Sequence, residues 1–230
     1  RKVKELTNKM FSAMNEGINW NWDGKESTYY LMKETNHWRQ MEWMGFYWED
    51  IGPKAISKKM NIKTPGPRYG NVVIDTYLEI PWDYKTHSMN SESGQTNKDI
   101  PTNGYQEILE CLEEHKKIGF IIASGISEFD SRPEMPFKKW HDELKGKESD
   151  YVKKGKEMGR RQRARKVNFN VKSVDFIIID KNTIDLCGRF QEGMINSDGT
   201  PRNAKVNLPY YQIMNDMIPE IEKYRYRITN

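Results

Sequence analysis

The sequence predicts an α/β protein with an α+β tendency, in which helices flank a central mixed β-sheet. Three observations predict it. Apolar residues recur at helical spacing near the start of the chain; residues 72–88 are dense in β-branched and aromatic side chains; and a helical pattern beginning at Tyr105 runs directly into an uninterrupted apolar stretch at 118–123. A strand, a crossover helix and a second strand in that order imply a parallel, right-handed connection.

Taken in order, residues 2–16 place Leu6, Met10, Phe11 and Met14 on one face of a short helix that ends near Gly17. A longer helix is expected over 27–49, with Ser27 as N-cap and Gly52-Pro53 as its stop; its apolar stripe is Leu31, Trp38, Met41, Gly45 and Trp48, with Glu42 on the same side. Residues 64–70 are rich in Pro and Gly and read as a loop feeding the central strands, and 90–103 are polar enough to read as a surface loop. After the helix at 105–117, the run at 118–123 has the composition of a strand buried on both faces. A short helix is expected at 137–144, and helical propensity extends to Met158, where Gly159 breaks it. Residues 174–187 read as a β-hairpin turning at Lys181-Asn182, and a helix over 210–224 closes the chain. With no internal repeat or low-complexity linker, the reading is one domain over 1–230 with a basic insertion at about 126–170.

Chemistry is concentrated in 72–88, where Asp75, Glu79, Asp83 and Lys85 interrupt strand-like residues. Alternation along a strand puts Asp83 and Lys85 on one face, an acid beside an amine. Carboxylates on a half-buried strand are costly without a cation or a hydrogen-bond network, so this arrangement suits a divalent metal. Asp75 followed by Asp83-Tyr84-Lys85 resembles the signature of the PD-(D/E)xK nucleases, whose best-known members are type II restriction endonucleases. The resemblance implies a restriction-endonuclease-like αβββαβ core and a sequence-specific double-stranded DNA endonuclease that hydrolyses phosphodiester bonds. It also implies Mg²⁺, with Mn²⁺ able to substitute, held by Asp75 and Asp83. Lys85 would act on the attacking water, Glu42 would be the helix-borne acid completing the metal site with Glu79 as the next acid to test, and the protein would be a homodimer.

Hydrophobic residues make up 36% and charged residues 30% of the chain, which suggests a large solvated or polyanion-facing surface. Net charge is only +4, but residues 153–166 hold eight basic side chains against one acid, so this segment carries the whole positive excess. Arg160, Arg161, Arg163, Arg165 and Lys166 are the expected phosphate contacts. Arg189, Gln191, Asn196, Arg202 and Asn203 are candidate base readers, since Arg suits guanine and Asn or Gln suits adenine. Cys111 and Cys187 are far apart in apolar surroundings and read as free thiols, and the four histidines are scattered, so no zinc site is expected. No apolar run is long enough to span a membrane and no secretory segment opens the chain, which predicts a cytoplasmic protein. Glycine-rich nucleotide loops, GxSxG and HExxH are absent, so no nucleotide cofactor is expected. The rival readings are a DNA-binding protein without catalysis, and a structure-selective or RNA-directed nuclease with the same centre.

Overall fold

Two long strands, joined through an α-helical excursion, carry the sheet on which everything else is hung. The computed structural model describes residues 2–229, the side chain of residue 151 excepted. In chain order its elements are α1 (Lys2–Gly17), β1 (Asn21–Asp23), α2 (Gly24–Glu34), α3 (Trp43–Ser57), β2 (Arg68–Tyr69), β3 (Val72–Val73), β4 (Thr76–Leu78), β5 (Ile80–Ser88), β6 (Ile100–Gly104), α4 (Tyr105–His115), β7 (Lys117–Phe129), α5 (Pro136–Lys145), α6 (Asp150–Glu157), β8 (Lys166–Asp180), β9 (Gly188–Phe190), β10 (Lys205–Leu208), α7 (Tyr210–Met214) and β11 (Glu222–Arg227), with 3₁₀ turns at His37–Arg39 and Ile184–Leu186. The main sheet runs β1-β8-β7-β5-β4, with β11 also paired to β8. The β5–β7 pair is parallel, with α4 between its strands in sequence, and the other pairs are antiparallel. The chain is thus an α/β protein with a mixed central sheet flanked by helices.

Strand alternation divides the interior in two. Trp82 and Tyr84 of β5, Ile121 and Ala123 of β7, and Val174, Phe176 and Ile178 of β8 face α1, α2 and α3. Ile118, Phe120 and Ile122 with Ile177 and Ile179 face α4 and α7. The β5–β7 register places Gly119 opposite Trp82, and a Cβ on Gly119 would lie 2.1 Å from the Trp82 ring. Only glycine leaves room for that indole. Trp82 is fully buried and donates to the Leu78 carbonyl at 3.0 Å, so truncating it to alanine would cost about 3–5 kcal/mol.

β8 changes partners along its outer edge. It pairs with β11 over Ser173–Ile178 and with β1 over Asn168–Asn170. Between the two lies Lys172, the extra residue of a bulge against β7, whose carbonyl accepts the Ile228 amide at 2.9 Å.

Several expectations are corrected. The helix expected over 27–49 is two helices: α2 stops at Glu34, where Thr35 turns extended, and α3 runs on through Gly52-Pro53 to Ser57. Pro53 is tolerated there because a helix gives up one hydrogen bond, to the Glu49 carbonyl, in exchange for a buried, closely packed face. Gly52 is what allows the approach, since a Cβ would meet the Tyr84 ring at 2.5 Å. The expected hairpin at 174–187 does not form, because Asp180 accepts the amides of Asn182 and Thr183 and turns the chain into a 3₁₀ turn. The closing helix is confined to α7, and 222–227 instead supply a strand. Within the expected loop at 90–103, residues from Ile100 form β6 of a second, three-stranded sheet, β6-β10-β9.

Candidate active site at the open edge of β5

β4 pairs with β5 only from Thr76 opposite Trp82 to Leu78 opposite Ile80. Beyond Trp82 the outer edge of β5 has no strand beside it among the described residues, and this is where Asp83 and Lys85 stand. Asp75, the residue just before β4, takes the place of the missing ladder bond: its Oδ2 accepts the Tyr84 amide at 2.7 Å. The chain thereby brings Asp75 next to Asp83 by extension of the hairpin register.

Asp83 is 2% exposed. Its Oδ2 contacts the Lys85 ammonium but receives no directional hydrogen bond. The expected shared face is therefore present, since the two side chains touch. Lys85 also approaches the Tyr84 carbonyl at 3.3 Å. Burial pushes the Asp75 carboxyl well above its usual range, and the charge of Asp83 adds to it. For Lys85 burial works against the charge, but Asp83 and Asp75 outweigh it and hold the amine above its ordinary value.

The acid of α3 whose charge bears on Asp75 and Lys85 is Glu49, whereas the expected Glu42 is turned to Lys166. Burial lifts Glu49 to about 7, against the pull of Lys85 and with the push of Asp83. Glu42 precedes the first turn of α3, is 56% exposed on its side chain and pairs with Lys166 at 3.1 Å. The helix expected over 27–49 is instead broken at Glu34 and restarted at Trp43, which makes Glu49 the acid beside the buried Trp48. Glu79 is exposed on the β4–β5 turn with φ 62° and lies outside the group.

Sequence reasoning also missed the residues that continue this row along β5. His87, two positions beyond Lys85 on the same face, is 4% exposed, and its ring centroid lies 4.2 Å from that of Tyr210. Burial lowers its pKa to about 4, so it is neutral at physiological pH. Tyr210 donates to Ser124 at 2.7 Å and also contacts Asp175, which Arg225 grips with two bonds of 2.8 and 2.9 Å. Asp175 sits in the run that reads as an apolar strand, and Arg225 was placed beyond the end of a helix, so nothing in their spacing linked them.

The expected DNA contacts separate into three groups. Arg160, Arg161 and Arg163 are exposed, with Arg161 tied to Glu92 at 3.2 Å. Arg165 is buried at 4% exposure, so it does not belong to a solvated track, and Lys166 opens β8 with its half-buried ammonium on Glu42. Gln191, Asn196, Arg202 and Asn203 line one cleft of about 370 Å³ beside β10. Arg189 does not join them: it lies 3.8 Å over the Tyr105 ring and pairs with Glu192 at 3.4 Å. Both cysteines are free, Cys111 buried and Cys187 half-buried, and among the described residues no helix is long and apolar enough to cross a membrane.

Among the described residues no three His, Cys, Asp or Glu side chains converge as a ready metal-holding group. The donors at the β5 edge nonetheless suit a hard divalent cation in kind, being carboxylate oxygens, one of them buried and engaged by the Lys85 ammonium. Comparison of the chain with protein-family models, curated proteins and solved structures returns no match.

Proposed function

We propose that the chain is a Mg²⁺-dependent endonuclease of double-stranded DNA, of the type II restriction class, working at the open edge of β5. The observation that supports this most is the meeting of Asp75, Asp83 and Lys85 at an edge with no neighbouring strand among the described residues, with the charge of Glu49 bearing on it from α3.

Asp75 and Asp83 would hold the cation. Mg²⁺ is commonly bound by one or two carboxylates plus substrate phosphates and water, so a third protein ligand is not required. When bound, Mg²⁺ supplies polarisation of the phosphoryl oxygen and acidification of water. The chain's own residues do the rest. Lys85, steadied on Asp83, points a cation at the charge that grows on the phosphoryl oxygens as water adds to phosphorus and the bond to the leaving ribose oxygen breaks. Glu49 presents a carboxyl able to take up the proton released by that water.

The cluster at 191–203 would read bases and the exposed arginines would hold the backbone. Double-strand cutting at a palindrome is most simply done by two symmetric copies, so the working form is a homodimer located with DNA in the cytoplasm. Sedimentation showing a monomer both free and on DNA would contradict that.

A second reading, a DNA-binding protein without catalysis, draws on the direct contact between Lys85 and Asp83, which satisfies both charges internally. Plasmid cutting in Mg²⁺ separates the two readings. The endonuclease cuts, Asp83→Asn and Lys85→Ala abolish cutting while DNA binding is kept, and EDTA stops it. DNA binding without cutting in any divalent metal would overturn the nuclease reading.

A further inference from the structure

Arg165 lies just before β8, at the base of the segment that carries α5 and α6. It is 4% exposed, and among the described residues its guanidinium has no hydrogen bond or ion pair. Four carboxylates bear on it from a distance, namely Asp142, Glu42, Asp130 and Glu148. Each is already engaged. Asp142 holds Lys138 and Lys145, Glu148 holds Lys138 and Lys156, Glu42 holds Lys166, and Asp130 accepts the amides of Phe137 and Lys138 that open α5. A buried cation without a partner is unfavourable, and a guanidinium presents a planar fork of donors that matches a phosphate or carboxylate.

Arg165 lines a cavity of about 280 Å³. Arg39, Arg160 and Arg163 stand around it, none paired to a carboxylate among the described residues, while Met41 and Val152 give it apolar wall. That size lies just below the usual range for small-molecule sites, which limits the occupant to about one small phosphorylated unit. Lys85 pairs with Ile122 of β7, whereas Arg165 adjoins Lys166, which is opposite Phe129. Seven residues of strand separate the two points, about 23 Å at about 3.3 Å per residue. The cavity is therefore remote from the Asp83–Lys85 centre.

We infer that this cavity is a binding site for a nucleotide phosphate, with the phosphate on Arg165 and the sugar and base against Met41 and Val152. The site goes beyond the nuclease reading and does not depend on whether Asp83 and Lys85 cut DNA. Its ligand has two natural sources with one chemistry, the 5′-phosphate at a DNA end and a free mononucleotide.

Calorimetry on the full chain without Mg²⁺ tests the inference, using dAMP, deoxyadenosine and inorganic phosphate, together with a short duplex bearing either a 5′-phosphate or a 5′-hydroxyl. The expected result is that dAMP binds at least tenfold more tightly than deoxyadenosine. Arg165→Met should lose at least tenfold in dAMP affinity with its melting temperature unchanged or raised, because it removes an unpaired buried charge. A 5′-phosphate preference in the duplex assigns the site to DNA ends, and its absence alongside dAMP binding assigns it to free nucleotide. Equal binding of dAMP and deoxyadenosine, or an unchanged dAMP affinity in Arg165→Met, would overturn the proposal. Should Arg165→Met fail to fold, Val152→Trp fills the cavity from its other wall and must weaken dAMP by a similar factor; unaltered affinity there sinks the idea equally.

Discussion

Asp75 Oδ2 accepts the backbone amide of Tyr84 at 2.7 Å, supplying the bond that β4 would have made had it continued alongside β5. The same carboxylate is thus both the cap of a strand edge and a candidate metal ligand, and the two roles come apart by mutation. Asp75→Asn keeps an oxygen for the amide and should fold with near-normal stability while losing Mg²⁺-dependent cutting. Asp75→Ala leaves a buried N–H unpaired and should lose a further 1–3 kcal/mol, roughly, in urea denaturation. Equal stability of the two variants would mean the amide finds another acceptor.

Glu49 titrates at about 7 in the folded chain against an ordinary 4.5. Between these values the folded state holds more protons than the unfolded one, so this group makes stability fall as pH rises from about 4.5 to 7, by at most about 3 kcal/mol. Glu49→Gln should flatten that slope in EDTA and Glu42→Gln should leave it alone. Millimolar Mg²⁺ at pH 8 should raise the melting temperature of the wild type and not that of Asp83→Asn. A Glu42→Gln variant that loses turnover while Glu49→Gln keeps it would give the helix-borne role to Glu42 instead.

His87 behaves in the opposite sense. Its folded pKa of about 4 lies below the ordinary 6.5, so the unfolded chain binds the extra proton first and stability falls as pH drops through that window, by up to about 3 kcal/mol. Replacing His87 with Phe should remove this share of the acid limb whatever it does to the plateau. The quantity to compare is the slope of unfolding free energy against pH between about 4 and 6.5, and an identical slope in both proteins would show that His87 is not the group responsible.

Among the exposed arginines, Arg160 and Arg163 are free of carboxylates among the described residues, whereas Arg161 is shared with Glu92. Each free phosphate contact contributes about 0.9 to the slope of log affinity against log salt. Arg160→Ala and Arg163→Ala together should therefore lower the slope on random-sequence DNA by nearly 2, roughly, and Arg161→Ala by less than either alone. Retention of site choice in these variants would be consistent with base reading by the Gln191–Asn203 cleft. New cutting sites would transfer that role to the arginines.

How far the sequence reaches is clearest at β5. Alternation alone placed Asp83 and Lys85 on one face, and the side chains touch, because a two-residue period is a local property of any strand. Glu49 escaped because the helix expected over 27–49 is broken at Glu34 and restarts at Trp43, and α3 then packs against β5, with Gly52 against Tyr84, a contact between residues 32 positions apart. Asp175 and Arg225 escaped for a similar reason: they meet through β8–β11 pairing, while local propensity favoured a helix at 210–224. Arg165 stood within a run of basic residues that composition cannot divide into solvated and buried members. Its burial at 4% follows from lying at the start of β8 and beneath α5 and α6.

Lys172 acts as a phase shift in β8. Because one additional residue stands between Ser173 and Val171, the residues on either side keep the inward positions that suit them: Phe169 and Val171 before it, Val174 and Phe176 after it. Deleting Lys172 alone would invert every side chain from Asn168 to Val171, turning Phe169 outward and driving Asn168 and Asn170 into the aromatic core around Trp22. Single-residue changes of length in this strand are thus far more damaging than paired ones, which restore the parity. It is the count of residues between the two edge partners, more than the identity of the residue at 172, that lets β1 and β11 each meet β8 with its apolar residues facing the core.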